Sequence, residues 1–208
     1  MMIVLEGIDG SGKSTHLDFL EACARRQASE VVMTREPGGS PLAERLRTEI
    51  LQTPMDPIAE LLLVFAARRA HLEETVWPAL ARGAWVISDR YVDSSLAYQG
   101  AGRGLAEEDI LALTRLVEGN WQGPDLVVYF DCPSEVAAAR RAQRAQSAQG
   151  QPPAVPDRFD AEGTAFFDRV REGYRRAAAR RGAKALWIDG TQPITEIQKT
   201  LEERIFNH

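Results

Sequence analysis

The chain has 208 residues, 26% of them charged and 44% hydrophobic, with a formal net charge of −5. This length suits one domain, residues 1–208, with an ample core, and so acidic a chain lacks the basic surface that non-specific nucleic-acid binding requires. The densest apolar stretch, Leu61 to Ala67, is far below the roughly 20 residues that span a bilayer, and Met2 to Leu5 is too short for a signal-peptide core. Two cysteines, Cys23 and Cys132, form no disulfide framework, so a reducing, cytoplasmic setting is expected, with no membrane partner. The basic residues divide into 22 Arg and 3 Lys (Lys13, Lys184 and Lys199). Arginine binds phosphate as a planar fork, but composition alone does not separate that use from codon bias.

Met2-Ile3-Val4-Leu5 reads as a short buried strand, followed by a helix carrying Leu17, Leu20 and Ala24. Val31 to Met33 is a second strand, ended by Pro37-Gly38-Gly39. Leu42 to Leu51 is an amphipathic helix with Leu42, Leu46 and Ile50 on one face, and Ile58 to Leu80 is mostly helical with a break at Pro78. Trp85 to Ile87, Leu126 to Phe130 and Ala185 to Ile188 are further strands, and 107–117, 135–145, 164–181 and 194–205 are helices. Continuous apolar strands alternating with helices predict a parallel sheet covered on both faces. Ala145 to Pro156 is rich in Gln, Ala, Ser and Pro, and reads as a mobile loop.

Gly7-Ile8-Asp9-Gly10-Ser11-Gly12-Lys13-Ser14 fits G-x-x-x-x-G-K-[ST], with a strand before it and a helix after it. The glycines let successive backbone N–H groups turn inward onto an anion, and the following helix adds its positive end. The segment Gly7, Asp9, Gly10, Ser11, Gly12, Lys13, Ser14 and Thr15 is therefore the expected cradle for the phosphates of a nucleotide. Lys13 is expected to reach the β- and γ-phosphates and Ser14 to ligate Mg²⁺. The N-K-x-D string that reads guanine is missing, which argues against a GTPase.

Three further segments accompany this loop: Thr34-Arg35-Glu36-Pro37-Gly38-Gly39, Asp89-Arg90-Tyr91 running on to Ala97-Tyr98-Gln99-Gly100, and Asp157-Arg158-Phe159. In this order the set resembles the bacterial thymidylate kinases, P-loop enzymes that phosphorylate dTMP to dTDP with ATP. The resemblance implies a three-layer P-loop kinase fold, α/β, with a five-stranded parallel sheet, a mobile lid near 140–160 and a homodimer. It places Arg90 on the dTMP phosphate, Asp89 beside Mg²⁺, Arg47 as a further phosphate ligand and Asp9 near the deoxyribose 3′-hydroxyl. Glu36, Ser95, Tyr98 and Gln99 fall on the dTMP side. Phe65 matches the residue that stacks on thymine, with Arg68 or Arg69 on the base edge. Counting back from Pro78 favours Arg68, while one helical turn from Phe65 favours Arg69; Arg68 is the residue chosen. The family's catalytic arginine lies in the P-loop or the lid. This P-loop has none, so Arg144 aligns best, ahead of Arg140 and Arg158. The arginines of 169–181 read as a solvated helix face.

Two alternatives use the same motifs. A deoxynucleoside kinase would employ Glu36 as general base on a 5′-hydroxyl. A non-catalytic nucleotide-binding module would keep the cradle alone.

Overall fold

Apolar residues occupy successive positions along the strands, so each strand needs cover on both faces. The computed structural model, which describes residues 1–147 and 157–206, supplies that cover with a sheet between two helical layers. The strands are β1 (Met2–Glu6), β2 (Val31–Arg35), β3 (Trp85–Asp89), β4 (Leu126–Asp131) and β5 (Ala185–Asp189). Their order is β2-β3-β1-β4-β5, and all neighbours are parallel. Central β1 fixes the register, with Leu5 opposite Asp89 on one side and Val128 on the other.

The helices are α1 (Leu17–Arg25), α2 (Pro41–Gln52), α3 (Pro57–His71), α4 (Trp77–Ala81), α5 (Val92–Ser95), α6 (Glu107–Glu118), α7 (Ser134–Ser147), α8 (Thr164–Arg181) and α9 (Ile194–Ile205). Strand alternation sorts the core into two layers. Met2, Val4, Val86, Val127 and Tyr129 face α3, α6 and α8, while Ile3, Leu5, Ile87, Val128 and Phe130 face α1 and α9. This is the three-layer fold expected. Every strand ends on the same side of the sheet, so the loops that follow the strands share one crevice.

Four details differ from the sequence reading. On α2 the buried residues are Ala43 and Ile50, and Leu42 is exposed, because the helix turns its small residue toward α3. Pro78 does not break its helix but lies within α4. Proline has no N–H for the carbonyl four residues back, and the chain widens just before it into a π turn over Leu72–Val76, where the Trp77 N–H reaches the Leu72 carbonyl. A second π turn, Leu96–Gly102, follows α5. Its Gly-Ala-Gly composition hides it from periodicity, and it is held by α8 at close range. A Cβ on Gly173 of α8 would come within 2.7 Å of the Ala97 backbone. Finally, the α8 arginines are not simply a solvated face. Arg171 grips Asp131, Arg169 donates to the Gly102 carbonyl, and Arg181 donates to both oxygens of buried Asp93. The expected lid loop lies largely outside the described residues, beyond α7 and before Arg158.

Candidate active site

The loop after β1 divides the crevice into two clefts. One, of about 400 Å³, is lined by Gly10, Gly12, Ser14, Thr15, Arg140, Arg144, Gly190 and Gln192. The other, of about 220 Å³, is lined by Asp9, Glu36, Arg47, Arg68, Asp89, Arg90, Ser95, Tyr98 and Gln99, with apolar walls from Ile50, Leu51, Val64 and Phe159. Of the residues assigned from sequence, Gly10, Gly12, Ser14 and Thr15 line the first cleft and Glu36, Arg47, Arg68, Ser95, Tyr98 and Gln99 the second, with Asp9 and Arg90 at the junction, while Gly7, Ser11, Lys13 and Phe65 line neither.

Helix α7 shapes the first cleft. Gly10 has φ +91°, and a Cβ there would lie 2.3 Å from the Ala137 carbonyl, so α7 rests directly on the loop. One turn on, Arg140 donates to the Gly190 carbonyl at 2.9 Å and the Gly10 carbonyl at 3.3 Å, bracing the loop against the end of β5. Arg141 donates to the Asp9 carbonyl at 2.5 Å. Arg144 is exposed on the cleft wall. Arg158 points elsewhere. It donates to the Ile50 carbonyl and to buried Glu60, each at 2.6 Å, and so fastens the segment after the lid to α2 and α3.

Lys13 is buried, with Nζ donating to the Gly7 carbonyl at 2.6 Å and the Ile8 carbonyl at 3.3 Å. Burial and nearby Arg90 lower its pKa, while Asp89 and Asp9 oppose them. The Oδ1 atom of Asp89 is buried and makes no hydrogen bond among the described residues. Together with the exposed Ser14 hydroxyl it offers hard oxygen donors of the kind Mg²⁺ prefers. Among the described residues no group of three or more His, Cys, Asp or Glu side chains could hold a metal by itself.

Arg90 is the most heavily partnered group at the junction. Nη2 donates to Asp9 at 2.8 Å and to the Tyr98 hydroxyl at 3.2 Å, and Nη1 donates to the Tyr174 hydroxyl at 2.7 Å. Burial works against ionisation of Asp9, yet Arg90 and Lys13 hold its carboxyl well below the usual range. Arg47, from α2, donates to the Pro37 carbonyl at 2.7 Å, and burial and neighbouring Arg35 lower its pKa. The cleft is therefore crowded with cations that an anion would relieve.

Arg68 is 1% exposed. Its Nε donates to Glu36 Oε2 at 2.7 Å, and its Nη2 to the Tyr91 carbonyl and Ser95 Oγ, both at 3.1 Å. Nη1 is buried without a partner among the described residues. Arg69 faces away, donating to the Val117 carbonyl and resting over Trp77. Phe65 lies beneath Arg68, its ring 4.5 Å from the guanidinium, and Val64 one residue earlier forms the cleft wall. Gln99 donates to Glu60 at 2.6 Å. Glu36 is buried between Arg68 and His71, whose Nδ1 lies 2.9 Å from Oε1. Burial alone would raise its pKa, but these two partners bring it below the ordinary carboxylate value.

Several side chains that complete this site carry no motif. Glu6, Glu60 and His71 are polar residues inside apolar stretches, and only their burial with partners marks them. Phe159 was signalled by the Asp157-Arg158-Phe159 string.

Known proteins match this arrangement over the same span. The family profile described as thymidylate kinase matches residues 5–201. The thymidylate kinase of Paraburkholderia xenovorans (strain LB400) is 48% identical over 207 residues, covering 98% of this chain and 96% of that protein. That of Pseudomonas putida (strain W619) is 47% identical over 206 residues, covering 97% and 94%. The crystal structure of thymidylate kinase from Ehrlichia chaffeensis superposes with a TM-score of 0.76 at 29% identity, covering 99% of this chain and 97% of that one. With the loop, the two clefts and the full-length matches in agreement, the chain belongs to the thymidylate kinase family.

Proposed function

We propose that the two clefts hold ATP and dTMP, and that the chain transfers the γ-phosphoryl group of ATP to dTMP, giving dTDP and ADP. The single observation that carries the reading is the convergence of Arg35, Arg47 and Arg90 on the smaller cleft. A nucleoside 5′-hydroxyl needs no such charge, whereas a phosphate monoester, mostly dianionic at neutral pH, does. That dianion is already a nucleophile. The remaining task is to offset repulsion between two anions and to align them, which is the usual demand in phosphoryl transfer.

Arg90 and Arg47 bind the acceptor phosphate, and Asp9 approaches the sugar. Arg68 offers the two N–H groups of its unpartnered Nη1 to the base edge, with Ser95 and Glu36 fixing its orientation. Tyr98 and Gln99 wall the nucleoside. On the donor side Gly7–Thr15 cradle the phosphates, Lys13 exchanges its loop carbonyls for phosphate oxygens, and Arg144 reaches the transferring group. Mg²⁺, held by Ser14 and Asp89, would neutralise charge on the β- and γ-phosphates. Glu36 is unsuited to act as a base on a hydroxyl, because both of its oxygens are committed to Arg68 and His71.

Residues 1–208 form one kinase domain in this reading, since both core layers share a single sheet. Two free, buried cysteines suit the cytoplasm, and no helix among the described residues is long and apolar enough to cross a membrane. A homodimer is supported by exposed apolar residues on two packed helices, Ile58 and Leu62 on α3 and Leu116 on α6.

The test supplies protein and Mg-ATP with either dTMP or thymidine and follows ADP. Release that depends on dTMP is the expected result. Turnover of thymidine without turnover of dTMP would overturn the reading.

A further inference from the structure

Arg90 holds a backbone conformation that its side chain resists. Its φ is +77°, in the left-handed region that costs a non-glycine residue about 1–2 kcal/mol. The turn is pinned from below by Glu6, the last residue of β1, which is fully buried. Glu6 Oε1 accepts from the Tyr91 N–H at 2.8 Å and the Ser94 N–H at 3.2 Å. Glu6 Oε2 accepts from the Ser94 hydroxyl at 2.6 Å. Among the described residues no basic side chain pairs with Glu6 directly.

The hydroxyls continue toward the cleft. Ser94 Oγ lies 2.9 Å from the Tyr174 hydroxyl, and Arg90 Nη1 donates to Tyr174 at 2.7 Å and to Ser94 at 3.2 Å. A carboxylate has acceptors only, so it sets the direction of this chain. Ser94 gives its one proton to Glu6. Its lone pairs then receive Tyr174 and Arg90, and Tyr174, having donated to Ser94, offers its own lone pair to Arg90.

We infer that Glu6 is a positioning residue for the acceptor phosphate: it holds the Arg90 turn and fixes the polarity of the Ser94–Tyr174 chain that aims the guanidinium. This rests on the reading of Arg90 as the dTMP phosphate ligand. The charge of Glu6 is what matters, because a protonated Glu6 frees Ser94 to turn its proton toward Tyr174, whose own proton then opposes Arg90. Glu6 is faced by Asp93 and Arg90 from the turn after β3, by Lys13 from the loop, by Tyr129 from β4, and by Tyr98 and Tyr174. Burial and Asp93 push it up to about 7, against Ser94, Arg90 and Tyr91. Acceptor binding therefore weakens as pH falls through neutrality.

The test measures KM for dTMP and for ATP at pH 8 and pH 6.5 in wild type, Glu6→Gln, Ser94→Ala and Arg90→Ala. An amide at position 6 cannot accept from Tyr91, Ser94 N–H and Ser94 Oγ together, because one end is a donor. Glu6→Gln and Ser94→Ala are each expected to raise KM for dTMP about 10-fold, with KM for ATP changed less than about 2-fold. Glu6→Gln also loses the part of the wild-type pH dependence that exceeds the ionisation of dTMP itself. Ser94→Ala carries the test alone if Glu6→Gln does not fold. An unchanged KM for dTMP in the folded variants, or an equal rise in KM for ATP, would overturn the inference. If Arg90→Ala raises KM for dTMP and the other two do not, only the role of Glu6 is refuted. An unchanged KM in Arg90→Ala refutes the placement of the phosphate as well.

Discussion

Arg68 turns burial into selectivity. A guanidinium has five N–H donors, and a nearly inaccessible one must satisfy them or leave them aimed at a ligand. Glu36 makes this arrangement possible, which sets up a pH prediction. Because its folded pKa is depressed, its pairs stabilise the fold above the unfolded carboxylate value, about 4.3, and lose that effect as pH falls through the lower folded value. Glu36→Gln should thus destabilise by about 3 kcal/mol near pH 7, since it leaves a buried cation uncompensated. The difference in melting temperature from wild type should shrink below about pH 4; a difference constant from pH 7 to pH 3 would contradict the ion-pair account. A second prediction separates two arginines four residues apart on α7. Arg140 braces loop carbonyls, so Arg140→Ala should raise KM for ATP and lower kcat together. Arg144→Ala should lower kcat by on the order of 10³ with little change in KM, as expected for a group used mainly in the transition state. Single-turnover measurements distinguish the two. Sequence chose Arg68 over Arg69 on the count back from Pro78, against the helical turn from Phe65. The turn that matters runs from Val64 to Arg68, both of which line the cleft.

Elements with strong periodicity were legible in the sequence, and those shaped by contact were not. The predicted span for α9, Ile194 to Ile205, matches the structure, because its apolar residues recur at helical spacing. The π turn over Leu96–Gly102 has no such pattern and exists because α8 packs against it. The segment after the lid is likewise a product of packing. Buried Glu60 on α3 accepts from Gln99 and from Arg158, each at 2.6 Å, and forms an ion pair with Arg103 at 3.4 Å. One carboxylate thus ties the cleft wall, the Leu96–Gly102 turn and the end of the lid together, though in sequence it is only a charge in a helical run. Glu60→Gln should cost about 3 kcal/mol, because the arginines lose a buried partner. It should also speed tryptic cleavage after Arg158, whose guanidinium is now sequestered. Unchanged cleavage would show that this ion pair does not hold the segment.

At the scale of the molecule, a chain of net charge −5 gathers two polyanions by concentrating a few arginines in one crevice rather than by a basic surface. The same uneven distribution governs its apolar surface. Most large apolar side chains are buried in two layers, yet Ile58 and Leu62 on α3 are 59% and 53% exposed, and Leu116 on adjoining α6 is 76% exposed. Ile58 and Leu62 are one turn apart and so share a stripe on the outer face of α3, the helix whose inner face carries Arg68. Leaving such residues in water forfeits about 1.5–3 kcal/mol apiece relative to burial, so a second copy laid on α3 and α6 gains what the monomer lacks. Light scattering should therefore give twice the monomer mass at micromolar concentration. Leu62→Glu with Leu116→Glu should return it to the monomer mass, by placing charges in a face that excludes water. Because α3 also holds Arg68 and Glu60, separation of the copies should loosen the dTMP cleft and raise KM for dTMP more than KM for ATP. A doubly substituted protein that stays dimeric would place the interface elsewhere. One that becomes monomeric with unchanged KM values would show that each copy builds its cleft alone.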